Sequence, residues 1–489
     1  MDRKALVILA LGVSLRLLSF YGLMGGDDLI YNKAAYNAMT GQDFALGNPG
    51  QNRLGLIFPL AAIFRLWGVS EISSSLVTLI PSLLLILLTF YAASHFFGRE
   101  AGYIAVLLQA VYPMDVRYAT ILYPDIPVAL LSGLGVYAFY LACRSKRSLY
   151  LFASGLCVGL AYSVKMTGAF AALFLAGYAV YIMRREGKTR LEFLWTPLGF
   201  MAVFAAELIF FHMATGDMLF RFHSLATHNE GPWSGLTLYM ERGYFVRLTY
   251  QYFRVMLFYP PHFGLFYWAT FAAMAYLLAV REKRAYFPIV WWMTLFLILN
   301  FGSTGFTKYI PLPTVSRYSF MLLLPANLIL ACALGRLTLG AGRHRLTKIA
   351  GYSVIIVLIL SSIFIVGRGQ RRGSFTERAV SAYFSGRPDG PIYTDSRTAS
   401  VLEYFFEYRN GEMLRNFDGV EWNSLDGSYV LVNFPRLRFL WKYYGQRFHP
   451  IIFDPPPSWQ RVAVFGPDRG PGGSLLLNGR AAILYKIGP

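Results

Sequence analysis

Eleven apolar runs, broken by basic connectors at every second turn, constrain this chain more than any other feature. They cover 5–23, 72–97, 100–113, 125–143, 149–164, 167–183, 193–213, 263–280, 286–302, 317–335 and 349–366. About 20 apolar residues cross a bilayer as a helix, because a helix pairs its own backbone groups where no water can. The run 100–113 is short for a crossing and predicts a tilted helix, or one extended into its loop. Arg3/Lys4, Arg99, Arg144/Lys146/Arg147, Arg184/Arg185/Lys188/Arg190, Arg281/Lys283/Arg284 and Arg336/Arg343/Arg345/Lys348 all fall on one side of this alternation. Basic connectors mark the cytoplasmic face. The opposite face receives the loops 24–71, 114–124, 214–262 and 303–316, the turn at Lys165, and everything after about residue 367.

Composition agrees. Of 489 residues, 56% are hydrophobic and only 15% charged, which excludes a soluble globule. The net charge of +19 does not argue for nucleic acid, since many of the basic residues sit in short connectors and set orientation. Cys143, Cys157 and Cys332 lie in or beside apolar segments, so no disulfide framework is expected. No N-x-S/T sequon occurs, which fits a prokaryotic source. The first apolar run lacks a small-residue cleavage site and reads as a retained helix.

From Arg368 onward the composition becomes that of a soluble domain. The expected division is a transmembrane domain over 1–367 and an external α/β domain over 368–489. Pro391–Thr394 followed by Ser396–Tyr408 reads as strand, turn and helix; Tyr429–Asn433, Arg461–Phe465 and Ala481–Ile487 read as further strands. Gly466–Gly473 is glycine-rich without phosphate-loop spacing and reads as a surface hairpin loop. Within the first external loop, Ile30–Met39 and Ile57–Trp67 predict short interfacial helices. No internal repeat of the kind many transporters carry stands out.

Polar residues that are unusual for such a chain gather on the external side. Asp27 and Asp28 follow the first run directly. Asp115, Arg117 and Asp125 bracket the second external turn, Lys165 occupies the third, and Arg317-Tyr318 opens the tenth run. Adjacent carboxylates at a water–lipid boundary are costly without a task or a partner. Carboxylates and cations on one face suit an anionic substrate and a general base. Each residue also has a plainer reading: the aspartates can cap helices, Lys165 and Arg317 can anchor at the interface, and Arg16 and Glu207 can pair inside the bundle. His223, His228, Glu230 and His262, in the long external loop, can line an acceptor site or hold a metal, although their spacing matches no firm metal signature.

The arrangement resembles the GT-C fold membrane glycosyltransferases that use polyprenyl-phosphate sugars, the group of the protein O-mannosyltransferases and the lipid A aminoarabinose transferases. The family opens with a span, an Asp-Glu pair, a Tyr and a small helix ending near Gly. Here that reads Asp27-Asp28-Leu29-Ile30-Tyr31, then Ala34 to Gly41, with Asp28 where the family more often has Glu. Its second acidic position matches Asp125, its Gly-Leu-Ala-x-x-x-Lys segment matches Gly159 to Lys165, and its Arg-Tyr-…-Pro segment matches Arg317-Tyr318 to Pro325. The resemblance covers nearly all of residues 1–340. It implies an all-α polytopic membrane domain of about 11 helices with a small C-terminal α/β domain, in the plasma (inner) membrane with its site outside.

The implied reaction moves a monosaccharide from a polyprenyl-phosphate donor to a lipid, glycan or protein acceptor. Asp27 and Asp28 would be the catalytic acids, and Lys165, Arg317, Tyr318 and Arg117 the donor-phosphate residues. Asp125, His223, His228 and Glu230 would serve the acceptor or a metal. A carboxylate takes the acceptor proton, and cations favour the phosphate as its charge grows in the transition state. A monophosphate leaving group requires no cofactor, although a divalent metal is compatible with it. Two other readings share the membrane logic: a transporter or flippase of lipid-linked sugars, and an oligosaccharyltransferase or O-antigen ligase working on a diphosphate carrier. A transporter more often places its ionisable residues near the bilayer midplane.

The orientation is directly testable. A cysteine introduced within 184–190 should be protected from an impermeant thiol reagent in intact cells, and one near residue 420 should react. Reversed labelling would invert the topology.

Overall fold

The computed structural model describes residues 2–42, 47–230, 252–303, 309, 311–313, 315–339, 344–368, 374–385, 388–409, 411–418, 420–422, 425–466 and 481–488. The chain forms two compact units. The first comprises Met1–Tyr21, Asp43–Leu60 and Ser75–Arg371, and the second Gly22–Gln42, Ala61–Ser74 and Arg372–Pro489.

The helices up to residue 230 are α1 (Arg3–Leu18), α2 (Asp27–Thr40), α3 (Leu54–Trp67), α4 (Glu71–Phe97), α5 (Arg99–Val111), α6 (Pro113–Tyr118), α7 (Asp125–Ser145), α8 (Ser148–Val164), α9 (Phe170–Glu186), α10 (Trp195–Thr215) and α11 (Phe220–Glu230). There follow α12 (Tyr252–Phe258), α13 (Pro260–Phe263), α14 (Phe266–Ala279), α15 (Tyr286–Phe301), α16 (Phe320–Leu339) and α17 (Arg345–Arg368). Each of the eleven apolar runs is a helix. Among the described residues, seven helical stretches are long and apolar enough to cross a membrane: Glu71–Phe97, Asp125–Ser145, Met166–Glu186, Leu191–Thr215, Lys283–Phe301, Ser316–Leu339 and Arg345–Gly367. The other four runs give helices of 16 (α1), 13 (α5), 17 (α8) and 14 (α14) residues. At ~1.5 Å per residue these helices measure roughly 20–26 Å, less than the ~30 Å hydrocarbon layer. The molecule is a multi-pass membrane protein whose long spans number about seven, with the short helices as the difference from the sequence reading.

Helix α16 is the hub of the first unit, packing against α5, α7, α14, α15 and α17. It is buried along almost its whole length, as an apolar helix with no polar face must be. Helices α8 and α10 meet through small residues. A Cβ at Gly155 would run into the Thr196 carbonyl, and one at Gly199 into the Phe152 carbonyl, so only glycine permits this approach. A polar knot ties α1, α4, α5 and α6 together. Arg16 Nη2 donates to Asp115 Oδ2 at 2.6 Å and Arg16 Nε to Ser82 Oγ at 2.6 Å, while Gln109 Nε2 reaches Asp115 Oδ2 at 2.6 Å. Asn327 of α16 joins the knot by donating to Gln109 Oε1 at 2.7 Å.

The second unit is built on a five-stranded mixed sheet in the order β2-β1-β3-β5-β4. Its strands are β1 (Ile392–Thr394), β2 (Leu414–Asn416), β3 (Tyr429–Asn433), β4 (Trp459–Phe465) and β5 (Ala482–Ile487). Strand β1 runs parallel to β2 and β3; β5 is antiparallel to β3 and β4, with Leu431 opposite Leu484. Alternate side chains feed two cores, one around Ile392, Leu402, Leu431 and Leu484 and one around Val430, Val432, Leu437 and Trp459. Helices α18 (Phe375–Tyr383), α19 (Ser396–Phe405) and α20 (Phe434–Tyr444) complete the unit. Asp395 caps α19 by accepting from the Arg397 and Thr398 amides at 3.1 and 2.9 Å. The strands and helix expected from sequence are present, while β2, α18 and α20 were not anticipated. The glycine-rich loop after Gly466 lies outside the described residues.

The α8–α10 approach predicts opposite outcomes for two glycines. Gly155→Ala should lower thermal stability in detergent, on the order of 1–3 kcal/mol, because the Thr196 backbone must give way. Gly177→Ala on α9, where a Cβ meets nothing, should be neutral or slightly stabilising. Equal melting temperatures for both variants would rule out the tight contact.

Candidate functional site

Three helix ends in the first unit deliver its charged residues to one place. Pro124 starts α7, leaving Asp125 at the first helical position, where the helix dipole favours a carboxylate. Helix α8 ends at Lys165, whose extended backbone (φ −161°, ψ 133°) turns the chain into the next helix. Arg317 and Tyr318 lie in the 3₁₀ turn Ser316–Ser319 that precedes α16.

Asp125 sits between two cations. Lys165 Nζ is 2.5 Å from its Oδ1, and Arg317 Nε is 3.6 Å from its Oδ2. Asp125 and Lys165 are 5% and 6% exposed, so this pair is desolvated and removing either partner would strand a buried charge. The aromatic rings complete the enclosure, with Lys165 Nζ 3.6 Å from the Tyr318 ring centre and the Arg317 guanidinium 4.4 Å from that of Tyr123. Arg117, on α6, lies beside the Tyr21 and Tyr118 rings at 5.7 and 6.0 Å. Arg117, Arg317 and Asp125 all act electrostatically on Tyr118, so all three lie within electrostatic reach of its hydroxyl.

Arg53, which the sequence reading passed over, acts on Lys165 as well. It precedes α3, whose Gly55 packs against the Ser163–Val164 backbone at the end of α8. Its signal was its place in the first external loop, on the same face as Lys165. Among the described residues, Arg53 thus joins Lys165 and Arg317 as a third basic side chain near the Asp125 carboxylate.

Asp27 and Asp28 belong to the second unit, at the start of α2. Their environments differ sharply. Asp28 is fully buried, and its carboxylate accepts from the backbone amides of Met24 (2.5 Å), Gly25 (3.2 Å) and Gly26 (2.6 Å). Burial drives its carboxyl above the ordinary carboxylate range, with the three amides pulling the other way. Asp27 is only half-buried and occupies the first helical position, where the dipole favours its charged form. Of the two, Asp27 is the more exposed.

His223 and His228 stand on α11 and line a recess of about 460 Å³ with Asp217, Phe220, Ser224 and Thr227. His223 Nδ1 lies 2.7 Å from Asp217 Oδ2. Glu230 ends the same helix, and its side chain lies outside the described residues. His262, on α13, pairs with Ser316 Oγ at 2.6 Å, and burial followed by the nearby Arg117 pushes its imidazole down to about 4. It is therefore neutral at physiological pH. Among the described residues, no three His, Cys, Asp or Glu side chains gather as a metal site.

Comparison with known proteins places this geometry in context. Residues 55–210, which include Arg117, Asp125 and Lys165, match the family described as dolichyl-phosphate-mannose-protein mannosyltransferase. No curated protein matches the chain. Among solved structures it is similar to ArnT from Cupriavidus metallidurans bound to undecaprenyl phosphate, with a TM-score of 0.56 and 14% identity over 98% of this chain and 97% of that one. It is also similar to the Archaeoglobus fulgidus oligosaccharyltransferase in the apo form (TM-score 0.61, 12% identity, 95% of this chain and 73% of that one). The archaeal oligosaccharyltransferase AglB from the same organism, in complex with an inhibitory peptide and a dolichol-phosphate, gives 0.59 and 13% over the same shares. Identities this low speak for the fold alone. The chain has the GT-C fold shared with ArnT and AglB, and its residues 55–210 carry the signature of the dolichyl-phosphate-mannose-protein mannosyltransferase family.

Proposed function

We propose that this protein is an inverting glycosyltransferase that moves a monosaccharide from a polyprenyl-phosphate donor to a lipid, glycan or protein acceptor outside the cytoplasm. The observation that carries the reading is the cation-rich cluster around Asp125, where Lys165 and Arg317 share one carboxylate with Arg117 and Arg53 close by. It is supported by the family match over that segment, and by the undecaprenyl phosphate and dolichol-phosphate in the similar solved structures.

In the proposed reaction an acceptor hydroxyl attacks the anomeric carbon, and Asp27 takes its proton. The bond from that carbon to the phosphate oxygen breaks, and the electron pair leaves with the lipid phosphate. Lys165 and Arg317 stabilise the charge that appears there, with Tyr318 fixing the lysine. Attack opposite the leaving group inverts the anomeric centre. Asp125 holds the two cations apart and aligned. A monophosphate gains one negative charge on leaving, which these side chains can neutralise without a cofactor.

Two substitutions separate the roles. Asp27→Asn keeps shape and removes basicity, and should abolish transfer at normal expression and insertion; a general base contributes about 10²–10⁴-fold. Activity near wild type in this variant would return Asp27 to a helix-start residue.

Lys165→Met should lower single-turnover transfer by about 10²–10³-fold while donor affinity falls much less, and Lys165→Arg should recover part of the rate. A loss confined to donor affinity would make Lys165 a ground-state anchor.

A further inference from the structure

The second unit joins Gly22–Gln42, which carries Asp27, to the C-terminal sheet domain, and the contacts between them are specific. Leu23 is buried against Val401, Tyr404 and Tyr408. Its amide donates to Glu71 Oε1 at 2.9 Å, and Arg378 of α18 grips both oxygens of Glu71 at 2.5 and 2.8 Å. Arg397 Nε, at the start of α19, donates to the Gly25 carbonyl at 3.0 Å. Gly25 has φ +76°, and a Cβ there would meet Arg436 at 2.8 Å and Val401 at 3.0 Å, so the loop lies flush against α19 and α20. Asn32 donates to the Asp28 carbonyl at 2.8 Å and accepts from Ser74, which is 2.7 Å from the Tyr404 hydroxyl. Asp27 follows this loop directly, so the loop sets where its carboxylate points.

We propose that the C-terminal sheet domain positions the base, with Arg397 as a positioning residue that holds the Gly25 carbonyl and thereby aims Asp27. The inference rests on Asp27 being the base. Arg397 bonds the loop directly, Tyr404 packs with its Leu23, and Arg378 reaches it through Glu71. Arg397 is suited to the task because its guanidinium is also packed 5.3 Å from the Phe439 ring, which limits its own freedom.

The test uses the full chain in lipid nanodiscs. Hydrogen exchange at residues 22–28 should be about tenfold faster in Arg397→Met and close to wild type in Arg397→Lys, with β3 and β5 unchanged. Unchanged protection of the loop in the Met variant overturns the proposal. Turnover is then measured with the polyprenyl-phosphate lipid extract of the expressing membranes as donor probe. Arg397→Met should lose about 10²-fold in kcat at unchanged donor KM, and Arg397→Lys should recover most of it. No loss, or a loss in KM alone, also overturns the proposal. Should β3 and β5 lose protection in the Met variant, Ser74→Ala loosens the same loop without removing a charge, and an unmoved loop there is equally decisive against the proposal. Asp27→Asn run in parallel keeps the two ideas apart: full activity in it refutes the base assignment, whereas the exchange result judges the loop contact by itself.

Discussion

A single ion pair in the interior of the first unit underlies what the rest of that unit can do. Arg16 and Asp115 are both fully buried, where an unpaired charge costs several kcal/mol. The structure meets that cost with four hydrogen bonds from the guanidinium. Besides Asp115 and Ser82, the guanidinium donates to the Gly12 and Ala110 carbonyls at 2.9 and 3.0 Å, and Ser82 donates onward to Asp115 at 2.7 Å. Such a network tolerates only one arrangement of the helices that supply it. Asp115 is two residues from Arg117 and stands in the short helix that leads to Asp125, so fixing it fixes the approach to the phosphate-binding candidates. Arg16 has a carboxylate largely to itself, whereas Lys165 and Arg317 share Asp125.

The two aspartates illustrate how similar residues acquire different work. Adjacent in sequence, they fall on opposite sides of the start of α2. One turns back to collect three amides and becomes part of the backbone's own wiring. The other stays half-buried at the first helical position, where the helix dipole favours a carboxylate. No sequence rule assigns these fates, because they depend on whether the preceding glycines curl toward the first or the second carboxylate.

Much of this was legible beforehand. The apolar periodicity placed all eleven hydrophobic helices, and the turn positions of Asp125, Lys165 and Arg317 foretold that they share a face, because each ends or begins a helix. Helix length was less legible: the first run is apolar from 5 to 23, yet α1 stops at Leu18, and α5 stops at Val111, two residues short of its run. Arg53 carried only the weak signal of its loop position; its relation to Lys165 comes from Gly55 packing on the end of α8, a contact between distant segments. Likewise β2 is three residues long and paired only at an edge, too short for alternation to register. The division of the first loop between the two units is a tertiary fact that composition, which changes only near residue 368, does not record.

The loop ahead of Asp27 is synthesised well before its partner, because Arg397 lies 372 residues after Gly25 along the chain. At ~5–20 residues per second, synthesis would separate the two by some tens of seconds. During that interval Gly22–Gln42 has none of the α18–α20 side chains that organise it, and its acids face solvent without fixed direction. A nascent chain can therefore insert its helices before the loop ahead of Asp27 is ordered. Under the proposed function, transfer would await synthesis of the sheet domain, so the order of biosynthesis itself would act as a safeguard.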